Sequence, residues 1–198
     1  MELWRICRVL DNPIRFALLR DIALSPQHAL NVLQVADRAR QKKSVTSLYL
    51  KQLADAGLLS VERKGCYTVC SSNHLQRSPL ARLQLALADF FAADPEGGRD
   101  GETLAKIRAL SHHGRVAAVR EISKHEGGIR FDDLSEIMGV PHSTLYRQLG
   151  TLIEAEIVTE GSEETRTLYR IAQQPDGLLS VLVSLALDCR LDQSAYYQ

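Results

Sequence analysis

Hydrophobic side chains in the first half of the chain recur with the spacing of an amphipathic helix. Ile14, Leu18, Leu19 and Ile22 lie at positions i, i+4, i+5 and i+8, so a helical backbone places them on one face. Pro13 fits the first position of such a helix, because the N–H group that proline lacks has no helical partner there. The pattern predicts a helix that begins at Pro13 and buries one side.

Helix-end signals predict three more helices in the same half. A short apolar stretch from Leu3 to Leu10 precedes Pro13. Asn31 and Gln34 have the spacing of a capping box, in which each side chain bonds to the backbone N–H of the other, and they predict the start of a third helix. A fourth is predicted over residues 44–56, ended by Gly57 in the left-handed conformation that glycine adopts easily.

A β-hairpin and a longer closing helix complete the first half. Residues 58–63 and 66–70 flank the turn Lys64-Gly65 and are predicted as the two strands. Ser78-Pro79 predicts the start of the closing helix. The apolar stripe of this helix consists of Leu80, Leu83, Leu87 and Phe91.

The second half of the chain repeats the first. Residues 9–15 are echoed by residues 109–115, and residues 50–59 align with residues 149–158 at an offset of 99. Residues 93–101 are rich in glycine and acidic side chains, which is typical of a linker. We therefore predict one domain over residues 1–93, a linker over 94–101 and a second domain over 102–198. The predicted elements of the second half are helices over 102–110, 114–125, 132–138 and 142–155, strands over 157–160 and 166–171, and a closing helix from Asp176.

Each half resembles a winged helix-turn-helix domain of the ArsR type. The resemblance rests on Leu10–Phe16, which is similar to the family's first motif, and on Leu134–Leu149, which is similar to its helix-turn-helix. It implies a mainly α fold with small β-hairpin wings: two tandem winged helix-turn-helix domains, each with a closing C-terminal helix. The first half departs from the family pattern at Arg40-Gln41 and at Leu48, so base recognition is expected from the second half.

The same resemblance implies a transcriptional regulator that binds double-stranded DNA. In such domains the second helix of the helix-turn-helix, here called the recognition helix, enters the major groove. In the second half, the polar side chains expected on its outer face are Ser143, Thr144, Tyr146, Arg147 and Gln148. In the first half, the side chains suited to phosphate contact are Lys43, Ser44, Ser47 and Lys51.

The two wings differ in charge. Arg63 and Lys64 make the first wing basic and suited to the DNA backbone. The second wing is acidic at Glu160, Glu163 and Glu164, and Arg166 is its candidate phosphate contact. We therefore expect the first wing to grip the backbone more strongly than the second.

The net charge of the whole chain does not reveal this difference, because the opposite charges of the two halves cancel. The chain has 198 residues with 24 basic and 24 acidic side chains, 45% of its residues are hydrophobic, and its mass is 22.1 kDa. Residues 1–99 carry 14 Lys and Arg against 9 Asp and Glu, or +5; residues 100–198 carry 10 against 15, or −5. Composition excludes a mainly disordered chain. Opposite charges favour packing of the halves as an intramolecular pseudo-dimer, with a homodimer of chains as the alternative.

Other function classes receive less support from the sequence. Tandem winged helices also serve as protein-protein interaction or assembly modules without sequence-specific DNA binding, and this alternative stays open. An enzyme is not expected, because no histidine has a catalytic partner at a recognisable spacing and no nucleotide-binding glycine loop is present. No cofactor is predicted.

The cysteines and the chain ends suggest a compartment. No apolar run approaches the ~18 residues of a membrane span, and the first eight residues are too charged for a signal peptide. We expect a cytoplasmic protein with reduced thiols and no membrane partner. Cys66 and Cys70, placed four apart on one predicted strand, are expected on the same side and could begin a soft-metal or redox site, but no third ligand is visible, so no metal is predicted.

Overall fold

The computed structural model describes residues 2–25, 29–72, 80–163, 166–173 and 177–188. Within these ranges the chain is mainly helical, with ten helices and two small three-stranded antiparallel sheets. No helix in the described ranges is both long and apolar enough to cross a membrane.

The first half contains five helices and three strands. Its helices are α1 (Leu3–Leu10), α2 (Pro13–Ala23), α3 (Val32–Arg38), α4 (Lys43–Asp55) and α5 (Ala81–Ala93). Its strands are β1 (Ala29–Asn31), β2 (Ser60–Lys64) and β3 (Tyr67–Ser71). The strands form one sheet in the order β1-β3-β2.

The second half has the same element order. Its helices are α6 (Asp100–Ala109), α7 (His113–Ser123), α8 (Phe131–Met138), α9 (His142–Glu154) and α10 (Leu178–Asp188). Its strands are β4 (Ile129–Arg130), β5 (Val158–Glu163) and β6 (Arg166–Ile171), in the order β4-β6-β5. The repeated sequence therefore corresponds to a repeated order of elements and of strands.

Most predicted elements agree with the structure, and the short strands are the exception. The capping box of Asn31 and Gln34 is present, with both hydrogen bonds at 2.9 Å. Strands β1 and β4 were not predicted, because three and two residues are too few to show alternation. α6 begins at Asp100, two residues inside the predicted linker. The predicted starting residues of the closing helices, Ser78-Pro79 and Asp176, lie outside the described ranges.

One local hydrogen-bond arrangement occurs in both halves. The guanidinium of Arg15 donates to the backbone carbonyls of Val9, at 2.6 Å, and Arg8, at 3.1 Å. Arg115 donates in the same way to the carbonyls of Ala109 and Arg108. Each arginine thus satisfies carbonyl groups at the C-terminal end of the preceding helix, which have no partner within that helix.

The two halves share one hydrophobic core. Buried side chains of both halves belong to a single cluster, with α1 packed against α6 and α5 against α10. The buried Arg20 on α2 forms an ion pair with Asp100 on α6, and Arg108 donates to Asp11 at 2.9 Å from α6 to the end of α1. The recognition-helix candidates α4 and α9 are therefore held on one packed body.

The connection between the halves is a compact turn. The Asp94 carboxylate accepts hydrogen bonds from the backbone N–H groups of Gly98, at 3.1 Å, and Arg99, at 2.7 Å. The bond from Arg99 is the main reason that the pKa of Asp94 lies below its usual value. This segment was predicted as a linker, and its backbone has defined hydrogen bonds.

Candidate nucleic-acid interface

The outer face of α9 carries a group of exposed polar side chains. α8 ends at Gly139, which adopts a left-handed conformation at φ 62°, and α9 begins three residues later. Ser143 and Arg147 are exposed, Tyr146 is 73% exposed, and Thr144 is half-buried. The opposite face is buried and consists of Leu145, Leu149 and Leu152. Of the side chains predicted on the outer face of this helix, those at positions 143, 146 and 147 are therefore exposed, and the one at position 144 is half-buried.

The prediction for Gln148 is wrong. Its side chain is only 8% exposed and packs against the first turn of α7, where a Cβ built on Gly114 would lie 2.5 Å from its Nε2. Position 148 follows Leu145 by three residues and precedes Leu152 by four, so helical geometry places it on the buried stripe. That spacing was visible in the sequence, and the polar character of glutamine obscured it.

The outer face of α4 is basic and partly apolar. Thr46, Leu50 and Leu53 are buried, which directs the other side of the helix outward. The exposed predicted residues are Lys43, Ser44, Ser47 and Lys51. Leu48, at the centre of this face, is 54% exposed. The structure thus exposes the predicted phosphate contacts of the first half around a leucine that offers no hydrogen bond to a base.

The two hairpins that were predicted as wings carry different charges. Arg63 and Lys64 end β2 and are exposed, and the Lys64 ammonium lies 3.7 Å from the Glu62 carboxylate. In the second half Glu160 on β5 is exposed. Arg166 begins β6, and its side chain lies outside the described part of the chain.

A histidine pair lies beside α9, at the contact of the two halves. His112 caps α7, because its Nδ1 accepts the backbone N–H of Gly114 at 3.1 Å. The His112 and His113 rings stack with centroids 4.6 Å apart, and His113 meets Trp4 of α1 edge-on at 6.1 Å. Partial burial lowers the pKa of His112, and nearby positive charges, including those of Arg147 and Arg8, lower it further.

Nothing in the sequence indicated that these histidines lie together with α1 and α9. The spacing between residues 8, 113 and 147 carries no local pattern, so only the packing of α1 on α7 reveals the cluster.

The cysteines occupy unlike environments. Cys70 on β3 is fully buried, and this burial raises its pKa to about 11. Cys7 on α1 is also fully buried, and burial raises its pKa as well, with the Asp11 charge contributing. Cys66 is exposed in the turn before β3, so the expectation that it shares one strand and one side with Cys70 is wrong. No cluster of three or more potential metal ligands occurs among the described residues.

No protein-family model matches the sequence, and no curated protein is significantly similar to it.

Proposed function

We propose that the chain is a DNA-binding transcriptional regulator made of two winged helix-turn-helix domains. The observation that carries this proposal is the exposed polar face of α9, where Ser143, Tyr146 and Arg147 project from a helix of 13 residues. The B-DNA major groove is about 12 Å wide and admits one α-helix. Arg147 has the side chain that most often recognises guanine, through two hydrogen bonds.

The two halves have different tasks in this proposal. α9 contacts base edges, because its exposed side chains can donate and accept hydrogen bonds. α4 and the first wing contact phosphates through Lys43, Lys51, Arg63 and Lys64, whose ammonium and guanidinium groups suit the backbone. Leu48 limits base recognition by α4.

The chain acts as an intramolecular pseudo-dimer in this proposal. The packing of α1 on α6 and of α5 on α10 supports it, because these are the first and last helices of the two repeats. Two different recognition helices on one body favour an asymmetric DNA site. A homodimer of chains is the alternative. Light scattering on a sizing column distinguishes the two, since a mass near 22.1 kDa supports the pseudo-dimer and a stable mass of twice that contradicts it.

Selection of bound fragments from random duplex DNA tests the function directly. The selection is run with the full chain at ~0.15 M salt, because affinities for DNA depend steeply on salt. We expect enrichment of one asymmetric motif. A flat profile with weak binding would contradict the proposal.

One observation favours protein binding as the second candidate. Besides Leu48, other large apolar residues of the first half are exposed to solvent. The exposed fraction is 45% for Val61 and 52% for Tyr67, both on the hairpin, and 44% for Leu33 on α3. Leu33 and Tyr67 line the same surface depression, and exposed apolar patches are typical of protein contact surfaces. Capture experiments with the unchanged chain and with a Leu48→Lys, Tyr67→Lys variant test this candidate. It requires a partner that binds the unchanged chain and does not bind the variant.

A further inference from the structure

Four side chains from three helices form a positively charged surface between the halves, here called the seam patch. Arg8 lies on α1, His112 and His113 at the start of α7, and Arg147 on α9. All four are exposed, and the charges of Arg8 and Arg147 both act on His112. The patch therefore continues the outer face of α9 toward the first half.

The charged groups packed around the histidines leave the patch positive. On α7, the guanidinium of Arg115 is bonded to backbone carbonyls at the end of α6. Asp11 at the end of α1, whose charge acts on Arg115, accepts a hydrogen bond from the guanidinium of Arg108 at 2.9 Å. Its charge is thus balanced by Arg108, and Arg8 and Arg147 supply the positive charge of the patch.

Arg8 corresponds to Arg108, which is paired with Asp11, and the other three members of the patch have no charged counterpart in the first half. The positions that correspond to His112, His113 and Arg147 are Asn12, Pro13 and Leu48, which are all uncharged. Asn12 nevertheless caps α2 as His112 caps α7, with the Arg15 N–H donated to its Oδ1 at 3.0 Å. Helix capping at this position therefore does not require a histidine.

We propose that the seam patch binds the DNA backbone between the two recognition helices, and that protonation of its histidines strengthens this binding. The inference rests on the proposed function. A DNA phosphate stabilises a charged imidazole, so binding draws a proton onto the pair. On His112 the added proton binds to Nδ1, so Nδ1 can no longer accept the hydrogen bond from the Gly114 N–H group. The resulting cation then faces the phosphate.

Proton uptake gives the patch a measurable signature. Each proton bound together with DNA changes the dissociation constant by up to about tenfold per pH unit. Affinity for DNA should therefore rise as the pH falls from 8.0 to 6.0. Each phosphate contact also contributes about −0.9 to the slope of log affinity against log salt concentration.

The test uses fluorescence anisotropy with the full chain and a labelled 30-base-pair duplex of mixed sequence. We expect binding to be at least about fivefold tighter at pH 6.0 than at pH 8.0. The variant His112→Asn, His113→Gln keeps a capping side chain like that of Asn12 and should lose most of this pH dependence. His125→Gln, at the other end of α7, is the matched control and should keep it.

A second variant tests the patch without altering a cap. Arg8→Gln should reduce the salt slope by about one unit at either pH and leave the pH dependence in place. The seam-patch proposal would be overturned if the double histidine variant kept the full pH dependence, or if Arg8→Gln kept the full salt slope. Either result would leave the proposed DNA binding intact. A wild-type chain that binds no duplex at pH 6.0 would overturn the proposed function as well.

Discussion

At the scale of single residues, Arg147 and Arg63 are both exposed arginines with different expected contacts. Arg147 projects from α9, the proposed recognition helix, and Arg63 lies near the end of strand β2. Arg147→Ala should lower the discrimination between preferred and other DNA sites by about 1–3 kcal/mol for each lost base contact. Competition binding with matched duplexes measures this difference.

The wing variant is the control. Arg63→Ala with Lys64→Ala should weaken binding to all sequences alike and reduce the salt slope by about one unit per contact. A changed sequence preference in the wing variant, together with an unchanged preference in Arg147→Ala, would reverse the assignment of the two arginines.

Burial predicts which thiols react. The raised pKa of Cys70, about 11, leaves only ~0.1% of it as the reactive thiolate at pH 8, and its side chain is inaccessible. Cys7 is equally buried, whereas Cys66 is exposed. In a Cys189→Ser background, a colorimetric thiol reagent should therefore detect one fast thiol in the folded chain and three in denaturant. Cys66→Ser should remove the fast one, and fast labelling of Cys70 in the folded protein would contradict the buried placement.

Residue type alone predicted most of the exposed side chains of α9. The prediction failed where a polar residue occupies a position on the buried stripe of the helix. Ser143, Tyr146 and Arg147 are polar and lie off the leucine stripe, so both signals agree. Gln148 is polar and lies on the stripe, and packing against Gly114 buries it. The seam patch could not be predicted, because its members are brought together only by contacts between helices.

At the scale of elements, both halves require left-handed residues at the same two positions. The turn between the third and fourth helices of each half contains Arg40, at φ 50°, or Gly139, at φ 62°. The end of the fourth helix is followed by Gly57, at φ 71°, or Glu156, at φ 57°. The backbone shape is conserved between the halves, while glycine occupies only one member of each pair.

This difference predicts opposite effects of two matched substitutions. A left-handed conformation costs a non-glycine residue roughly 1–2 kcal/mol, partly offset by the greater entropy of glycine in the unfolded chain. Arg40→Gly should raise the free energy of unfolding by about 0.5–1 kcal/mol. Gly139→Ala should lower it by about 1 kcal/mol through the backbone alone, because a Cβ at Gly139 meets no atom within 4 Å. Urea unfolding measures both, and destabilisation by Arg40→Gly would contradict the argument.

The sequence predicted the ends of helices where a capping side chain, a proline or a glycine marks them locally. Asn12 with Pro13, the capping box at Asn31 and the glycine after α4 each define a helix end through nearby groups. β1 and β4 depend instead on pairing with β3 and β6, for example Leu30 opposite Cys70. Such distant partners leave no mark in two or three residues of sequence.

At the scale of the whole molecule, two ion pairs between the halves differ in burial and therefore in expected energy. Arg20 is 8% exposed, lies over the Phe91 ring at 5.4 Å and pairs with Asp100. Removing one partner of a buried pair leaves an uncompensated charge. Asp100→Asn should therefore lower the free energy of unfolding by about 2–4 kcal/mol. Urea denaturation measures it.

The exposed pair between Arg108 and Asp11 is the control. Exposed ion pairs contribute about 0–1 kcal/mol, so Arg108→Gln should have a small effect. Equal losses in the two variants would show that burial of Arg20 does not determine the energy of its pair.

The opposite charges of the halves predicted mutual packing, but they do not describe the contact itself. Arg20–Asp100 joins a basic group of the positive half to an acidic group of the negative half, whereas Arg108–Asp11 joins them in the reverse sense. The larger part of the contact is apolar, between α1 and α6 and between α5 and α10. Net charge averages over groups that never meet, so it cannot specify which side chains do.

The packing of α5 on α10 within one chain has a consequence for occupancy. A regulator that must dimerise before binding responds to roughly the square of its concentration when it is dilute. In the proposed regulator, two recognition helices joined in one polypeptide require no such step, so a DNA site would fill in simple proportion to the concentration of the protein. A twofold dilution of the protein would then halve the loading of a weakly occupied site, whereas a site bound by an obligate dimer would lose about three quarters of its loading.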